Sequence, residues 1–444
     1  MKFGGSSLAN ADRICHVTEI VKTRLDKKPV LLLSAMGDTT DHLLEAGDNA
    51  LTKGIVQLDK IEELHRNTVK ELALGDTALE SIIPLLAELR NLLTGISLIR
   101  ELTGKTKDYL VSFGERLSVR IVAAHFESLG IKAKAIDAWD CGFVSNSNFT
   151  SADLTEEAWE LIPAQLKAPA ESGLLQIVTG FIAKDAEGNI TTLGRGGSDL
   201  SATMIAAACN AEEVQVWKDV DGILTADPRV VEAARPVASI TYEAASELAY
   251  YGAQVLHPRA MQPCMRTGTP VLVKNSYNPD APGTKIEKAP EGKISLVQVV
   301  SSKKNVTLVD IVSSRMLGQH GFLAEVFSIF AKFGISIDMV ATSEVSVSLT
   351  LDTAQDLTAL EKELSRIASV EINTGKAIIT IIGDVHRSSE ILARAFNVCK
   401  LLGVQIQMIS QGASKVNISF IVADKETTEI TKGLHAAFFD SGSS

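Results

Sequence analysis

Apolar and polar positions follow two different patterns along the chain. Up to about residue 275, short continuous apolar runs alternate with longer stretches in which Leu, Ile and Ala recur every three or four residues. Pro29–Gly37, which ends in small and hydroxyl residues, and Leu175–Thr179 are two of the apolar runs, and residues 41–130 have a mostly helical pattern. Buried strands that alternate with amphipathic helices are typical of α/β folds with a mostly parallel sheet. We therefore predict an α/β domain for this part of the chain.

A second pattern, of short strands and helices, begins near residue 294 and occurs twice. Gly334–Val340 and Gly403–Ile409 are matching segments, each with an amphipathic helix before it and another after it. The first copy reads βαββαβ, whereas the second copy lacks its fourth strand. Because unpaired sheet edges are unfavourable, we expect the isolated strand Ile294–Val300 to complete the second copy. The first copy would then be inserted into the second.

These patterns divide the chain into three predicted domains. Residues 1–290 form the α/β domain, whose end lies close to the Pro- and Gly-rich segment Asn278–Thr284. Residues 306–375 form the first α+β module, and residues 294–305 together with 376–444 form the second. The chain would cross between the two modules twice.

Composition narrows the class of protein. The 444 residues carry a formal net charge of −11, which argues against nucleic acid as the main partner. The five cysteines are scattered without a CxxC pair, so neither a disulfide framework nor a structural zinc site is expected. The sequence has no signal peptide and no continuous apolar run of about 18 residues, so we expect no membrane partner.

The most informative motif is the glycine-rich stretch Thr191–Asp199. A β-branched run ends there, three glycines and Arg195 follow, and Ser198 and Asp199 open an alanine-rich helix. We expect Ser198 or Asp199 near the N-cap of this helix. Exposed N–H groups at a helix start form an anion site, and the planar guanidinium of Arg195 suits a carboxylate or phosphate. An ordinary tight turn is the alternative.

Two other places also suit a phosphorylated ligand. Lys2 stands beside Gly4 and Gly5 before a predicted helix, although the pattern is not a P-loop and a flexible tail is the alternative. Ser34 and Thr40 follow an apolar strand, and the carboxyl ends of parallel strands are where open α/β sheets bind ligands. A site built at this edge of the sheet is therefore predicted.

Charged residues elsewhere have a functional and a structural interpretation. Lys218 and Asp219 end a predicted strand and, with Arg229, suit phosphate and Mg²⁺, whereas a solvated polar loop is the alternative. Glu115 is predicted near the start of a helix, where a carboxylate also simply complements the helix dipole. The sequence pattern alone leaves both interpretations open.

Taken in order, these motifs resemble those of the aspartate kinase family, over the whole chain. The motifs that match are Lys2–Ser7, Ser112–Glu115, Thr192–Asp199 and Trp217–Asp219. The lysine-responsive regulatory region of the family is matched by Met316–Leu323 and Thr342–Ser346. The segments most similar to monofunctional plant-type members are Ser34–Gly37 and Gln411–Ser414. The resemblance implies a three-layer αβα amino acid kinase fold followed by two ACT modules.

The resemblance also implies an activity and partners. It implies transfer of the γ-phosphoryl of ATP to the side-chain carboxylate of L-aspartate, giving 4-phospho-L-aspartate, the first step of lysine, threonine and methionine biosynthesis. Mg²⁺ would be carried by the nucleotide. L-Lysine would inhibit at the ACT modules, through which a homodimer or larger oligomer would form. The expected location is the plastid stroma, with the transit peptide absent from this sequence, or alternatively the cytoplasm.

The roles that the resemblance implies fall into four groups. In catalysis, Lys2 would neutralise the transferred phosphoryl group and Asp199 would orient Lys2. The residues implied for the substrate are Thr40, Glu115, Arg195, Gly196, Gly197 and Ser198. Those implied for ATP are Lys2, Gly4, Gly5, Ser6, Ser34, Lys218, Asp219, Leu224 and Arg229. Those implied for the lysine effector are Met316, Gly321, Phe322, Leu323, Asp338, Ser343 and Glu344.

The sequence departs from the family pattern at three places. Leu224 stands where many relatives carry tyrosine, and Gln254 where some carry lysine. Relatives have an apolar strand before the position of Lys2, so we expect Lys2 to lie on a frayed end here.

Two functions are alternatives to that of an aspartate kinase. They are a non-catalytic ACT-type sensor of amino acids and another small-carboxylate kinase of the same fold.

Overall fold

The structure, a computed structural model, describes residues 1–251, 256–289, 295–313, 320–352, 357–412 and 414–440, without the side chains of residues 168–170. The chain forms two compact units. The first consists of Met1–Ile223, Ala238–Tyr242 and Val255–Pro290. The second consists of Leu224–Val237, Glu243–Gln254 and Glu291–Ser444.

An eight-stranded sheet forms the centre of the first unit, in the order β3-β5-β2-β1-β8-β10-β11-β9. Its strands are β1 (Lys2–Phe3), β2 (Val30–Leu33), β3 (Ala133–Ile136), β5 (Leu175–Thr179), β8 (Val214–Lys218), β9 (Ser239–Thr241), β10 (Val271–Asn275) and β11 (Thr284–Glu287). Every neighbouring pair is parallel except β10 and β11. The predicted mostly parallel sheet is confirmed. A small sheet holds β4 (Val144–Ser145), β6 (Ile182–Asp185) and β7 (Ile190–Thr192).

Helices surround this sheet, as the apolar periodicity predicts. They are α1 (Ala11–Lys22), α2 (Thr39–Lys53), α3 (Asp59–Glu71), α4 (Asp76–Ile99), α5 (Gly104–Ser128), α6 (Ala158–Glu171), α7 (Gly197–Ala208) and α9 (Pro258–Thr267). Helix α8 (Tyr242–Tyr250) belongs to the second unit except for its first residue. The apolar faces of α1 to α5 share one hydrophobic core with β1, β2 and β5.

Lys2 does not lie on a frayed end, so that expectation is wrong. It is opposite Leu32 on one side and Val216 on the other, in the middle of the parallel sheet. Phe3 is fully buried, and its ring stacks on that of Trp217 with centroids 5.8 Å apart. A strand of only two residues is stable here because both neighbouring strands supply ladder hydrogen bonds and its aromatic side chain lies in the core.

Helix α4 is long and apolar enough to cross a membrane, judged by length and composition alone. It is not a continuous apolar run, since it contains Glu88 and Arg90. Tyr109 donates a hydrogen bond to Glu88, and the Arg116 guanidinium lies 3.4 Å from the same carboxylate. Its residues in the hydrophobic core include Ile82, Leu86, Leu89, Leu93 and Ile96. Its packing is that of a core helix with one solvent-facing side.

The second unit contains a six-stranded antiparallel sheet, in the order β13-β14-β12-β15-β17-β16. Its strands are β12 (Val297–Val312), β13 (Val340–Thr342), β14 (Ser346–Asp352), β15 (Ser369–Gly383), β16 (Met408–Ser410) and β17 (Asn417–Ala423). Its helices are α10 (Phe322–Lys332), α11 (Thr358–Leu364), α12 (Ser388–Leu402) and α13 (Thr427–His435). Each predicted copy therefore contributes strands and helices in the expected order.

Two long strands, β12 and β15, join the copies. The sequence pattern predicts four separate strands here. Instead, β12 and β15 each run without a break from one copy into the other, and their pairing shifts register between Lys303 and Val306. The first half of β12 pairs with the half of β15 that adjoins β17, in the second copy. The second half of β12 pairs with β14, in the first copy. The upstream strand thus lies beside the second copy, as its missing fourth strand predicts.

Candidate active site

Three charged side chains meet in the first unit. Lys2 Nζ lies 2.8 Å from Asp199 Oδ1, and Lys218 Nζ lies 3.3 Å from Asp199 Oδ2. Burial alone would raise the pKa of Asp199, but the two ammonium groups outweigh it and hold that pKa below its ordinary value. The carboxylate is therefore ionised, and the cluster keeps one surplus positive charge. Such a cluster is suited to an anionic ligand.

The loop after β1 is held close to the loop after β2. A Cβ on Gly5 would lie 2.9 Å from the Ala35 carbonyl oxygen and 3.0 Å from that of Gly37, so only glycine fits without a shift. Gly37 N–H donates to the Gly5 carbonyl at 3.1 Å. A Cβ on Gly4 would lie 3.7 Å from Lys2 Nζ. The glycine pair is a structured part of the site, not a flexible tail.

Arg195 lies in the turn that leads into α7. The glycines on either side, Gly194 and Gly196, have φ values of 70° and 75°, in the left-handed region that favours glycine. The Arg195 side chain is exposed. Gly196 is the N-cap residue, and Ser198 and Asp199 lie in the first turn of α7, near the N-cap as predicted. The Asp199 carboxylate does not cap the helix but pairs with the two lysines.

Glu115 is buried in the middle of α5, so its predicted place near a helix start is wrong. Its Oε1 accepts a hydrogen bond of 3.1 Å from Ala35 N–H. Its Oε2 is buried and has no hydrogen-bond partner among the described residues. Burial raises the pKa of Glu115 to about 8, and Ala35 N–H and Lys2 only partly oppose this. Since buried polar atoms are normally satisfied, the free oxygen indicates a position for a cationic ligand group.

The remaining predicted residues of the first unit lie at the same edge of the sheet. Ser34 directly follows β2, and its N–H donates to the Phe3 carbonyl at 3.2 Å. Thr40 is half-buried in the first turn of α2. A Cβ on Gly180, just after β5, would lie 3.0 Å from the Ser198 hydroxyl. The ends of three neighbouring strands therefore approach the start of α7.

The predicted nucleotide residues are not all in one unit. Ser6 and Asp219 are exposed residues of the first unit. Leu224 and Arg229 belong to the second unit. The Arg229 guanidinium pairs with Asp227, with Nη2 2.8 Å from Oδ2.

The sequence analysis missed two residues that fix the backbone before the Arg195 turn. Asp108 accepts hydrogen bonds from the Thr192 hydroxyl at 2.7 Å and from the Thr192 N–H at 3.0 Å. Arg259 donates to the carbonyls of Leu193 at 2.9 Å and Ala152 at 2.5 Å. Asp108 precedes Glu115 by two helical turns, so both carboxylates lie on the same face of α5. That spacing is the signal that could have revealed Asp108.

His257 packs against the turn that carries Arg195. It is the N-cap residue of α9, where its Nδ1 accepts a hydrogen bond from Arg259 N–H. The Cβ of its side chain would clash with a Cβ on Gly196, so His257 occupies the space that a side chain there would need. Burial and the cations Arg195 and Arg259 lower the pKa of His257. A neutral imidazole therefore packs against the turn and adds no competing charge beside Arg195.

The residues expected for an effector lie in the second unit, apart from Met316, which is outside the described residues. Phe322 begins α10 directly after Gly321, and Leu323 is partly exposed. The hydroxyl of Ser343 accepts hydrogen bonds from Val345 N–H at 3.3 Å and Ser346 N–H at 3.1 Å, in the turn after β13. The remaining two residues differ in exposure: Glu344 is exposed, and the Asp338 carboxylate is buried.

Comparison with known proteins identifies the class. The amino acid kinase family profile matches residues 1–275, and an ACT domain profile matches residues 309–362 and 379–438. The chain is therefore an amino acid kinase with ACT domains.

Individual relatives show which family within this class the chain is similar to. The chain is 50% identical to the chloroplastic aspartokinase 1 of Arabidopsis thaliana, over 100% of this chain and 80% of that protein. The crystal structure of Escherichia coli aspartokinase III in complex with aspartate and ADP matches with a TM-score of 0.84 at 34% identity, over 99% of both chains. The complex of that enzyme with lysine and aspartate matches at 0.82 and 34%, over 99% of this chain and 98% of that one. The chain belongs to the aspartokinase family.

Proposed function

We propose that this protein is an aspartate kinase, which transfers the γ-phosphoryl group of ATP to the side-chain carboxylate of L-aspartate and forms 4-phospho-L-aspartate. The observation that carries the proposal is the pairing of one buried carboxylate, Asp199, with the two ammonium groups of Lys2 and Lys218 beside a glycine loop. Phosphoryl transfer needs positioning and charge neutralisation more than covalent help from the protein. This cluster provides both.

Lys2 and Lys218 would stabilise the negative charge of the phosphates, with the backbone of Gly4 and Gly5 around them. Asp199 keeps the two ammonium groups at fixed positions, so the site is ordered before the nucleotide arrives. Ser6, Ser34 and Asp219 complete the part of the proposed nucleotide site that belongs to the first unit. The family resemblance also implies Leu224 and Arg229 for ATP, and these two residues belong to the second unit. Mg²⁺, when bound, would come with ATP and neutralise phosphate charge. Among the described residues, no group of three His, Cys, Asp or Glu could hold an ion independently.

The aspartate site is proposed on the opposite side of Lys2. Glu115 Oε2, which is buried and unpaired among the described residues, would accept the α-ammonium group of the substrate. Arg195 would bind a substrate carboxylate through its exposed guanidinium. Thr40 and Ser198 would donate hydrogen bonds. Gly196 and Gly197 would bring backbone N–H groups close to the substrate. A kinase for a different small carboxylate is the alternative within this fold.

Regulation is proposed to reside in the repeated part of the chain. Residues 306–375 and residues 294–305 with 376–444 would each form an ACT module, after a catalytic domain of residues 1–290. Lysine would bind between ACT modules of two subunits in a homodimer or larger oligomer. The proposed contacts are Met316, Gly321, Phe322, Leu323, Asp338, Ser343 and Glu344. The Arabidopsis relative is chloroplastic, which supports the plastid stroma over the cytoplasm as the location.

Steady-state ADP release, measured with and without aspartate, tests the activity. We expect turnover that depends on both ATP and aspartate and that falls on addition of lysine. Turnover with glutamate or acetylglutamate and none with aspartate would favour a different carboxylate kinase. Binding of lysine without any ATP turnover would favour the non-catalytic sensor, against which the intact Lys2, Asp199 and Lys218 cluster argues.

A further inference from the structure

The second unit contains a site that binds a primary ammonium group. Lys303 Nζ lies 2.7 Å from Asp338 Oδ2 and 2.8 Å from Asp352 Oδ1. Tyr250 donates a hydrogen bond of 2.6 Å to the other oxygen of Asp338, and its ring centroid is 5.1 Å from Lys303 Nζ. Two carboxylates and an aromatic ring are the groups that recognise ammonium cations. Lys303 and Tyr250 thus occupy the two carboxylate oxygens of Asp338.

The Asp338 carboxylate is the buried member of the site, and Tyr250, Lys303 and Asp352 connect it to the surface. The Asp338 side chain is 3% exposed, whereas that of Lys303 is 18% exposed and that of Asp352 is 67% exposed. A buried carboxylate is strongly destabilised if it loses its cation. Departure of the Lys303 ammonium is therefore much less costly when another cation takes its place.

Only one copy of the internal repeat has an acid at this position. Asp338 N–H donates to the Thr350 carbonyl at 2.9 Å, and Gln407 N–H donates to the Ile421 carbonyl at 2.9 Å. Each residue immediately precedes a buried methionine, so Gln407 is the counterpart of Asp338 in the second copy. A glutamine amide is uncharged and does not replace a carboxylate as an ammonium partner. The ammonium site is therefore a property of the first copy.

This inference rests on the proposed regulation by lysine at Asp338. We propose that Lys303 is an internal competitor of the effector: its ammonium fills the Asp338 site in the absence of free lysine, and effector binding displaces it. The apparent affinity of a ligand is reduced by the fraction of molecules whose site is open. Lys303 thereby raises the lysine concentration at which inhibition begins.

The Lys303→Met variant tests the proposal, since methionine keeps most of the apolar stem and removes the ammonium group. We expect the lysine concentration for half-inhibition to fall about tenfold or more. The values of kcat and KM without lysine should stay within about twofold of the parent protein. Lys304→Met, at the exposed neighbouring position, is the matched control and should change neither the half-inhibiting lysine concentration nor the values of kcat and KM. An unchanged or higher half-inhibiting concentration in Lys303→Met would overturn the proposal.

A second measurement does not depend on activity. Without the Lys303 ammonium, the melting temperature of the full chain should fall, and L-lysine or ethylammonium chloride should restore it by filling the site. The same salts should raise the melting temperature of the parent protein less. Sodium chloride at equal concentration should not restore the melting temperature of Lys303→Met. Lys303→Gln provides the same test if the methionine variant does not fold. A variant that responds to neither amine would overturn the proposal.

These two measurements also separate this inference from the proposed regulation. If lysine does not inhibit the parent enzyme, the proposed regulation fails. Rescue of Lys303→Met by ethylammonium would still show that the Asp338 site accepts a free amine.

Discussion

Lys2 Nζ and Asp199 Oδ1 are 2.8 Å apart, although β1 and α7 are separated by most of the first unit in sequence. Both side chains are less than a tenth exposed, and Lys218 pairs with the second oxygen of Asp199. A buried charge is tolerated only when it is paired, so the three side chains depend on one another. We regard this cluster as the centre of the catalytic site.

Replacing Asp199 by asparagine should therefore affect both activity and stability. We expect kcat to fall about 10²- to 10³-fold, because Lys2 and Lys218 lose the carboxylate that positions them. The free energy of unfolding should fall by about 3–5 kcal/mol, because two buried cations remain without a counter-ion. Steady-state kinetics and urea unfolding measure the two effects. Asp12→Asn, at an exposed position of α1, is the control, and equal losses there would contradict the assignment.

Glu115 should make aspartate binding depend on pH. Its pKa in the folded protein is raised to about 8, so it is mostly protonated at pH 7. Because the substrate ammonium requires the ionised form, the KM for aspartate should fall as pH rises from 6.5 to 8.5. The Glu115→Gln variant should lose this dependence and bind aspartate weakly throughout. A pH profile of KM that is the same in both proteins would contradict the role.

The same raised pKa has a consequence for stability. The unfolded chain releases this proton near pH 4.5, whereas the folded chain holds it to about pH 8. The folded state therefore binds more protons in this interval, and the contribution of Glu115 to stability falls as pH rises from 4.5 to 8. Glu115→Gln should be more stable than the parent at pH 8, by a larger margin than at pH 5. Thermal unfolding at the two pH values measures the difference.

Arg259 should affect aspartate binding through the turn that carries Arg195. In Arg259→Lys, one ammonium group replaces a planar fork and cannot hold both the Leu193 and Ala152 carbonyls. We expect the KM for aspartate to rise about tenfold or more, while the KM for ATP changes less than about twofold. Arg266→Lys, an exposed substitution in the same helix, is the matched control. Equal changes in both KM values would indicate a general structural effect.

Gly5 should not tolerate a side chain. A Cβ at this position would lie 2.9 and 3.0 Å from two backbone carbonyl oxygens, so Gly5→Ala must shift the loop after β1. We expect a loss of about 1–3 kcal/mol in stability and a higher KM for ATP. Gly95→Ala, where a Cβ would have nothing within 4 Å, should instead stabilise α4 by about 1 kcal/mol. An unaltered KM for ATP in Gly5→Ala would contradict the role of the loop.

The sequence predicted the elements whose signals are local. Leu175–Thr179 has the predicted bounds of β5, because a buried parallel strand is a continuous apolar run. The hairpin of β6 and β7 has a similarly local signal, because turn residues stand between its two apolar strands and Asp185 accepts the N–H groups of Glu187 and Asn189. Most of the fold and the order of its elements could be predicted in this way.

Features that depend on distant neighbours could not be predicted. Strand β1 has only two residues, and the sheet that pairs with it on both sides is formed by residues far along the chain. Glu115 lies in the middle of α5 because this helix begins well before it, after the N-cap Thr103, and the residues close to Glu115 do not indicate so early a start. Strand β11 follows a Pro- and Gly-rich segment that instead indicated the end of the domain. The pairing of Lys303 with Asp338 has no local signal.

Trapping the product tests the central claim most directly. The purified chain is incubated with ATP, Mg²⁺, aspartate and hydroxylamine, which converts an acyl phosphate into a hydroxamate, and the aspartyl hydroxamate is measured. We expect hydroxamate to form with L-aspartate as acceptor, at a rate that falls about 100-fold or more in Lys2→Met and Asp199→Asn and that decreases when lysine is added. Hydroxamate formation that neither substitution slows, or that never occurs with L-aspartate, would contradict the assignment of this cluster and of the activity.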